Sequence, residues 1–442
     1  MLFIKSFFLC LDFNTIMKVH FKYGKNGLNI EIPDNLSFTI LNAPEEKKIL
    51  NPVEEIKAKI NDPIGTLPLK ELIQQKAKFH EITLIIVISD ATRPSPSKII
   101  LKALTEIFEE IGIRDEQIKI LIATGLHRES RQDELVRMVG DNFLKRFEII
   151  DHNANNETSL AFVGYSNDRT PIYLNTYYLE SDFRILTGYV EPHFFMGFSG
   201  GRKSIVPGIA GEKTIKGNHS AKNIASPFAR FGIYKKNPLH INAVEIAKRV
   251  GLDFIVNVCI NENHIITQIA AGDLEKAHEA LVKYQLNLVF QKVNVLYDIV
   301  ICGNGGFPLD LNLYQAVKSM ALGEMAVKKG GIIISVNELS DGIGHEKFKE
   351  LIFSGRAPKE IYKDIINEKI KVADQWEIQI LTRILQKAEI IVVSQLSKDE
   401  VGNIGLIHSN SVEEAIEMAL KKIGPNAKIL VLPDGTLVLP KL

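Results

Sequence analysis

ITLIIVISDATRPSPSKIILKALTEIFEEIGI (Ile82–Ile113) sets the architecture. ITLIIVIS (Ile82–Ser89) is a short continuous apolar run, the pattern of a strand buried on both faces of a parallel sheet. Pro94 and Pro96 stiffen the loop that follows and keep it from continuing as helix. SKIILKALTEIFEEIGI (Ser97–Ile113) then has helical period. Strand, loop and helix in this order form the unit from which parallel sheets are built.

The alternation continues outward. IKILIAT (Ile118–Thr124) is a second buried strand and RQDELVRMVGDNFLKRF (Arg131–Phe147) a helix. FEIIDHN reads as a strand end, TPIYLNTYYLE (Thr170–Glu180) as an alternating strand, and FRILTGYV (Phe183–Val190) as a third buried strand. The pattern restarts near Gly272. LEKAHEALVKYQLNLVFQ (Leu274–Gln291) and LYQAVKSMALGEMAV (Leu313–Val327) are helices. YDIVICGNGG (Tyr297–Gly306) is a strand with a Gly-rich turn, and GGIIISVN, AEIIVVSQ and AKILVLP are further strands. The expected fold is α/β: two α/β domains with mostly parallel sheets and an active-site cleft between them. The N-terminal domain is expected over 17–274 and the C-terminal domain over 275–442. KVHFKYGKNGLNIEIP (Lys18–Pro33) predicts a hairpin about Lys-Asn-Gly. Residues 1–16, MLFIKSFFLCLDFNTI, resemble a signal peptide only superficially, because Asp12 interrupts a short apolar stretch. They are expected to be a misassigned start, with Met17 as the first residue, or a disordered extension.

Composition narrows the class. The 53 Lys and Arg balance 53 Asp and Glu, which speaks against nucleic acid or an anionic membrane as the main partner. Three cysteines are too few for a disulfide framework or a Cys-rich zinc site, so a reducing cytoplasm is expected. No apolar run reaches the length of a membrane span.

Three loops carry the chemistry: SDATRPSPS (Ser89–Ser97), TGLHRES (Thr124–Ser130) and GYVEPHFFMGFSGGRKSIVPGIAGEKTIKGNHS (Gly188–Ser220). Asp90, Arg93, His127, His152, His193 and Asn304 all follow expected strands, where open α/β sheets bind ligands. Arg93 has the planar fork that suits a carboxylate, or it closes its own loop on an aspartate. His127 and His193 sit as general bases would, and two such groups can flank one stereocentre; each also fits a loop histidine with a satisfied hydrogen bond. Lys203, in Gly-Phe-Ser-Gly-Gly-Arg-Lys-Ser, resembles a phosphate-loop lysine. Pro207 and Gly208 stand where the helix of a nucleotide hydrolase should begin, so a P-loop-like nucleotide hydrolase is kept as a minor alternative beside a phosphate cradle at Gly200 and Gly201 or a covalent anchor. His219 is a lone histidine, and any metal there needs donors from elsewhere. Gln315 and Lys318 share a face of an expected helix start. Trp376, the single tryptophan, is expected to pack rather than bind.

Taken in order, Asp-x-Thr-Arg-Pro (Asp90–Pro94), Thr-Gly-x-His-Arg (Thr124–Arg128), Pro-His with Gly-Phe-Ser-Gly-Gly-x-Lys-Ser (Pro192–Ser204), Asn-His (Asn218–His219) and Tyr-Gln-x-x-Lys (Tyr314–Lys318) resemble the nickel-dependent lactate racemase family. The likeness runs from about Lys18 to the C-terminus. It implies a cytoplasmic isomerase, a racemase of a 2-hydroxy acid with lactate as the default. Malate, longer hydroxy acids and sugar acids are alternatives. It implies a nickel-pincer nucleotide, a pyridinium-3-thioamide-5-thiocarboxylic acid mononucleotide with Ni(II), made by accessory enzymes and used for reversible hydride transfer. By the resemblance, Lys203 is the covalent anchor, with Gly200 and Gly201 beside the cofactor, and His219 is the nickel ligand, a planar four-coordinate arrangement that suits Ni(II). His127 and His193 are the acid/base pair. Arg93, Asp90, Tyr314, Gln315 and Lys318 are on the substrate side, with Asp90 orienting either a histidine or Arg93.

Overall fold

The computed structural model describes residues 16–76, 81–372 and 374–442. Apart from Ile16, the expectation for residues 1–16 lies outside the described residues. The described chain divides into two compact units, Pro44–Phe290 and residues 16–43 with Gln291–Leu442.

The Pro44–Phe290 unit is built on a six-stranded sheet in the order Ile266–Gly272, Phe254–Ile260, Phe183–Tyr189, Leu84–Ser89, Ile118–Ala123, Glu148–Asp151. Neighbours are parallel except the outer pair Phe254–Ile260 and Ile266–Gly272. Leu84 to Ile88 are all buried, as strands covered on both faces require. The helix Ser97–Glu110 buries Ile100, Leu101, Leu104, Ile107 and Phe108, one stripe at spacings of three and four. From Leu84–Ser89 the chain moves outward to Ile118–Ala123 and Glu148–Asp151, then returns to Phe183–Tyr189 on the other flank of Leu84–Ser89. Strand order reverses between these two strands. In open α/β sheets such a reversal is where the loops diverge at the carboxyl ends of the strands and ligands bind.

The other unit also has a six-stranded sheet, ordered Leu406–Ser409, Glu389–Val393, Val327–Val336, Tyr297–Gly303, Lys428–Leu432, Ser37–Ile40, with every pairing parallel. The hairpin forms as expected, Ile16–Phe21 against Leu28–Pro33. Among the described residues no helix is long and apolar enough to cross a membrane.

Four expectations need correction. The division at 274/275 moves to 290/291, because the helix Leu274–Leu288 packs on the strands Phe254–Ile260 and Ile266–Gly272. The N-terminal strands belong with the C-terminal sheet, because Ser37–Ile40 pairs with Lys428–Leu432. TPIYLNTYYLE is a strand only to Asn175; the Asn175 side chain accepts from the Tyr177 amide at 3.0 Å and starts the helix Thr176–Glu180. The helix expected over Arg131–Phe147 is two, Gln132–Met138 and Asp141–Arg146, parted at Gly140, whose φ of 88° no helix interior allows.

Candidate active site

Asp90 leaves the strand Leu84–Ser89 and turns its carboxylate to the neighbouring loop. His127 Nδ1 lies 2.7 Å from Asp90 Oδ2, and the Thr92 hydroxyl donates to Asp90 Oδ1 at 2.9 Å. Burial works against this carboxylate. The His127 hydrogen bond, the charges of His127 and Arg93 and the Thr92 hydroxyl outweigh burial and hold the Asp90 carboxyl below the ordinary range. An ionised carboxylate only accepts, so His127 Nδ1 carries a proton, and whenever the ring is neutral its Nε2 is the free nitrogen. The Asp90 carboxylate is thus buried and engaged by His127 and Thr92. The motif's Arg128 forks onto Glu134 at 2.7 and 2.6 Å, pinning the loop to the following helix.

His193 is held differently. It ends the two-residue strand Pro192–His193, paired with Gly197–Phe198. Its Nδ1 accepts the amides of Met196 at 3.3 Å and Phe195 at 3.5 Å. Accepting at Nδ1 leaves the neutral ring's proton on Nε2, so His193 has the opposite tautomer to His127. The Phe195 ring lies edge-on to His193 at 4.6 Å and to His219 at 5.1 Å, spacing the two imidazoles.

The loop between His193 and Lys203 is braced by Arg202, whose guanidinium is almost fully buried. Nη2 donates to the carbonyls of Phe198 at 2.7 Å and Met196 at 2.9 Å; Nη1 reaches those of Gly200 at 3.2 Å and Ser199 at 3.3 Å, and His278 Nε2 at 3.1 Å. Burial lowers the Arg202 pKa to about 9, still cationic at neutral pH. Gly200 and Gly201 adopt φ of 74° and 53°. A Cβ on Gly200 would stand 2.6 Å from Val190 Cγ2 and 2.9 Å from Asn257 Oδ1. The Gly201 amide donates to Asn257 Oδ1 at 2.7 Å, so the amide a phosphate cradle would use there is already taken. The turn Gly201–Ser204 runs on into Pro207 without a helix, and a nucleotide-hydrolase loop needs that helix. The Gly125 amide donates to the Gly208 carbonyl at 2.9 Å and the Gly208 amide to the Lys203 carbonyl at 3.0 Å, tying the His127 turn to the lysine loop.

His219 ends the helix Glu212–Asn218 and is buried. Burial, then the charge of Lys203, lowers its pKa to about 3. The ring is thus neutral at physiological pH, the form that ligates a metal, and Lys203 stands within electrostatic range of it. Among the described residues no three His, Cys, Asp or Glu side chains group to hold a metal ion. A metal on His219 would take its other donors from a bound group. A neutral imidazole beside a lysine fits a lysine-tethered ligand that carries its own metal donors.

Some strand-end residues are structural. His152 Nε2 donates to the Ala210 carbonyl at 3.0 Å and Nδ1 accepts from Asn175 Nδ2 at 3.2 Å. Asn304 donates to the carbonyls of Leu309 and Gln315. In the other unit, Lys318 Nζ donates to Gln315 Oε1 at 2.6 Å, as one helical face allows. Trp376 does more than pack, because its side chain hydrogen-bonds Tyr314.

Sequence reasoning missed Arg202, Asn257, His278 and the Tyr189–Glu191 pair, joined at 2.8 Å. His278 left a signal: it occupies the apolar stripe Leu274, Ala277, Leu281, Val282 of its helix.

Fold and site together define a two-unit α/β protein that sets two oppositely tautomeric histidines at the carboxyl ends of a parallel sheet, on the loops that carry a lysine and a buried imidazole. Two family models match the chain, the lactate racemase N-terminal domain over residues 23–232 and the lactate racemase C-terminal domain over 293–439. The chain is 35% identical over 426 residues to lactate racemase of Thermoanaerobacterium thermosaccharolyticum, covering 95% of this chain and 98% of that protein. It is 37% identical over 431 residues to lactate racemase of Lactiplantibacillus plantarum, covering 96% and 100%. The T. thermosaccharolyticum lactate racemase apoprotein structure superposes with a TM-score of 0.89 at 34% identity, over 96% of this chain and 100% of that one. A Thermotoga maritima protein shares the fold, with a TM-score of 0.65 at 19% identity over 90% and 100%. The chain belongs to the lactate racemase family, whose activity is that of an isomerase.

Asp90→Asn should move the His127 proton from Nδ1 to Nε2 in a share of molecules, seen in the ring nitrogen shifts of the cofactor-free protein by NMR; an unchanged pattern would refute the orienting role. Burial lowers the pKa of His152 to about 4 and, with the Arg202 charge, that of His278 to about 3, both from 6.5. Below pH 6.5 the unfolded chain binds protons that the native rings refuse, so this stability is complete above 6.5 and is lost as pH falls toward those values. Urea midpoints at about pH 7.5, 6 and 5 should fall in turn, and less steeply in His278→Gln.

Proposed function

We propose that this protein interconverts the enantiomers of lactate. The observation that carries the reading is the opposite tautomer state of His127 and His193 in a chain related over nearly its full length to lactate racemases. Racemising a 2-hydroxy acid through its 2-keto acid needs a base for the hydroxyl proton on one side and an acid to return it on the other. His127 Nε2 takes that proton, and the Asp90 carboxylate stabilises the imidazolium that forms. His193 Nε2–H supplies a proton to the carbonyl oxygen when the other face is reduced. The two exchange roles in the reverse direction. Arg93 holds the substrate carboxylate with its fork, and Lys318, steadied by Gln315, adds a second positive charge, with Tyr314 alongside.

The cofactor proposed is the nickel-pincer nucleotide, with Lys203 as covalent anchor and His219 as protein ligand to nickel, supplied by accessory biosynthetic enzymes. When bound, it would supply a reversible acceptor for the Cα hydrogen with its electron pair. The neutral, buried His219 and its neighbour Lys203 support this assignment. The Arg202 brace supports it from below by fixing the backbone from which Lys203 departs.

The test is chiral analysis of L-lactate incubated with protein co-expressed with those enzymes, its nickel content confirmed first. An equal mixture of enantiomers is expected, with His193→Ala slowing its approach by about 10²-fold or more. No inversion by nickel-loaded protein would overturn lactate as substrate and direct the assay to malate, longer hydroxy acids and sugar acids. Separately, Lys203→Ala should lack the mass adduct on its peptide, and His219→Ala should keep the adduct but bind less than stoichiometric nickel. Full nickel in His219→Ala would remove it as the ligand.

A further inference from the structure

Glu377 is a carboxyl that no sequence motif singled out and that the proposed chemistry leaves unused. It lies in the first turn of the helix Gln375–Leu385, its amide donating to the Asp374 carbonyl at 3.1 Å, and is 3% exposed. Its Oε2 is buried without a hydrogen-bond partner among the described residues. The helix packs on Leu313–Glu324, which carries Lys318, and the Lys318 charge acts directly on Glu377. Around this pair the starts of three helices meet. Tyr314 stacks on His345 with ring centroids 4.2 Å apart and an interplanar angle of 1°. His345 Nδ1 lies 2.6 Å from Asp374 Oδ2, joining the cap residues of two helices.

The charged groups facing Glu377 are thus Lys318 from one helix and Asp374 from its own, with His345 behind Asp374. Arg383 and Glu324 pair with each other further along the same interface, at 2.7 Å. The buried residues of the adjoining helices Glu346–Ile352 and Pro358–Ile366 are Phe348, Ile352, Ile361 and Ile365, all apolar. A carboxyl so buried pays for its charge unless a cation answers it, and Lys318 is the cation that acts on it.

We propose that Glu377 is the positioning residue for Lys318: at mildly alkaline pH its carboxylate balances the ammonium while no substrate is bound, and it takes up a proton when the carboxylate of a small 2-hydroxy acid arrives beside Lys318. The proposal rests on reading Lys318 as a substrate residue. The charge logic is simple. Ammonium and one carboxylate are neutral together; a second carboxylate would leave a net negative charge in a dry site unless one of the two is protonated. The substrate acid is the stronger and more exposed, so the proton goes to Glu377. Burial already drives the Glu377 carboxyl well above the usual carboxylate range, and Asp374 adds to the effect, against the pull of Lys318.

Cofactor-loaded protein titrated with racemic lactate undergoes no net conversion, so calorimetry in buffers of different ionisation enthalpy reads proton uptake directly. Between about pH 7 and pH 9 the wild type should take up part of a proton per lactate, more toward the upper end. Glu377→Gln should lose that uptake, and its lactate affinity should no longer fall as pH rises through the same window. Equal uptake in variant and wild type, or none in either, would overturn the proposal. Lys318→Ala separates the two layers: unchanged lactate affinity sinks the reading of Lys318, whereas weakened affinity with wild-type uptake in Glu377→Gln sinks only Glu377. Should Glu377→Gln fail to fold, infrared difference spectra of wild type with carboxyl-labelled lactate decide it. A new protonated-carboxyl band on binding is expected, and its absence would refute the assignment.

Discussion

A guanidinium buried among neutral acceptors holds this site together. Arg202 gathers the carbonyls of Met196, Phe198, Ser199 and Gly200 and meets His278 from the helix beneath. Among the described residues no carboxylate pairs with this cation, so its desolvation is offset by the carbonyl dipoles and the imidazole that meet its two terminal nitrogens, while Nε is left buried without a partner. The geometric effect is local and strong. The loop has His193 at one end and Lys203 at the other, and its backbone is tied to one rigid plane. Two reactive side chains that a glycine-rich loop would otherwise let wander keep a fixed separation.

The sheet supplies the complementary constraint. Strand order reverses between Leu84–Ser89 and Phe183–Tyr189, so the Asp90 loop and the His193 loop start side by side. The electrostatics record the approach: Arg93 acts on both Asp90 and Tyr189. Each histidine then acquires its tautomer from its own loop, His127 from a carboxylate and His193 from backbone amides. One sheet edge thereby holds two imidazoles whose ring protons occupy opposite nitrogens. Neither relies on the other.

The two units use ionisable groups in contrasting ways. In Pro44–Phe290 the buried imidazoles His152, His219 and His278 are kept neutral by burial. In the other unit, charged groups of both signs crowd at converging helix starts, where Lys318, Asp374, His345 and Glu377 influence one another. Such a cluster answers to the charge of a ligand, as a set of neutral imidazoles does not.

Many of the candidate residues are legible because they stand in loops directly after buried runs. Asp90, Arg93, His127, His193 and Lys203 announce themselves by residue type between a strand signal and Gly or Pro. Arg202, Asn257, His278 and Glu377 did not, since each acts on a partner far away in the chain. Arg202 and His278 are 76 residues apart, and Gly201 and Asn257 are 56 apart. His278 and Glu377 betray themselves only as polar residues on apolar helical stripes, a pattern that shows burial without naming a partner. The unit boundary was missed for a related reason: nothing in SFTI (Ser37–Ile40) says that it will lie beside KILVL (Lys428–Leu432). Local sequence determined which segments are strands and helices, and which loops bear reactive groups, because periodicity and turn chemistry act over a few residues. Only the tertiary structure decided which loops meet, which proton sits on which nitrogen and which charges are balanced, because those depend on contacts between residues the chain itself keeps far apart.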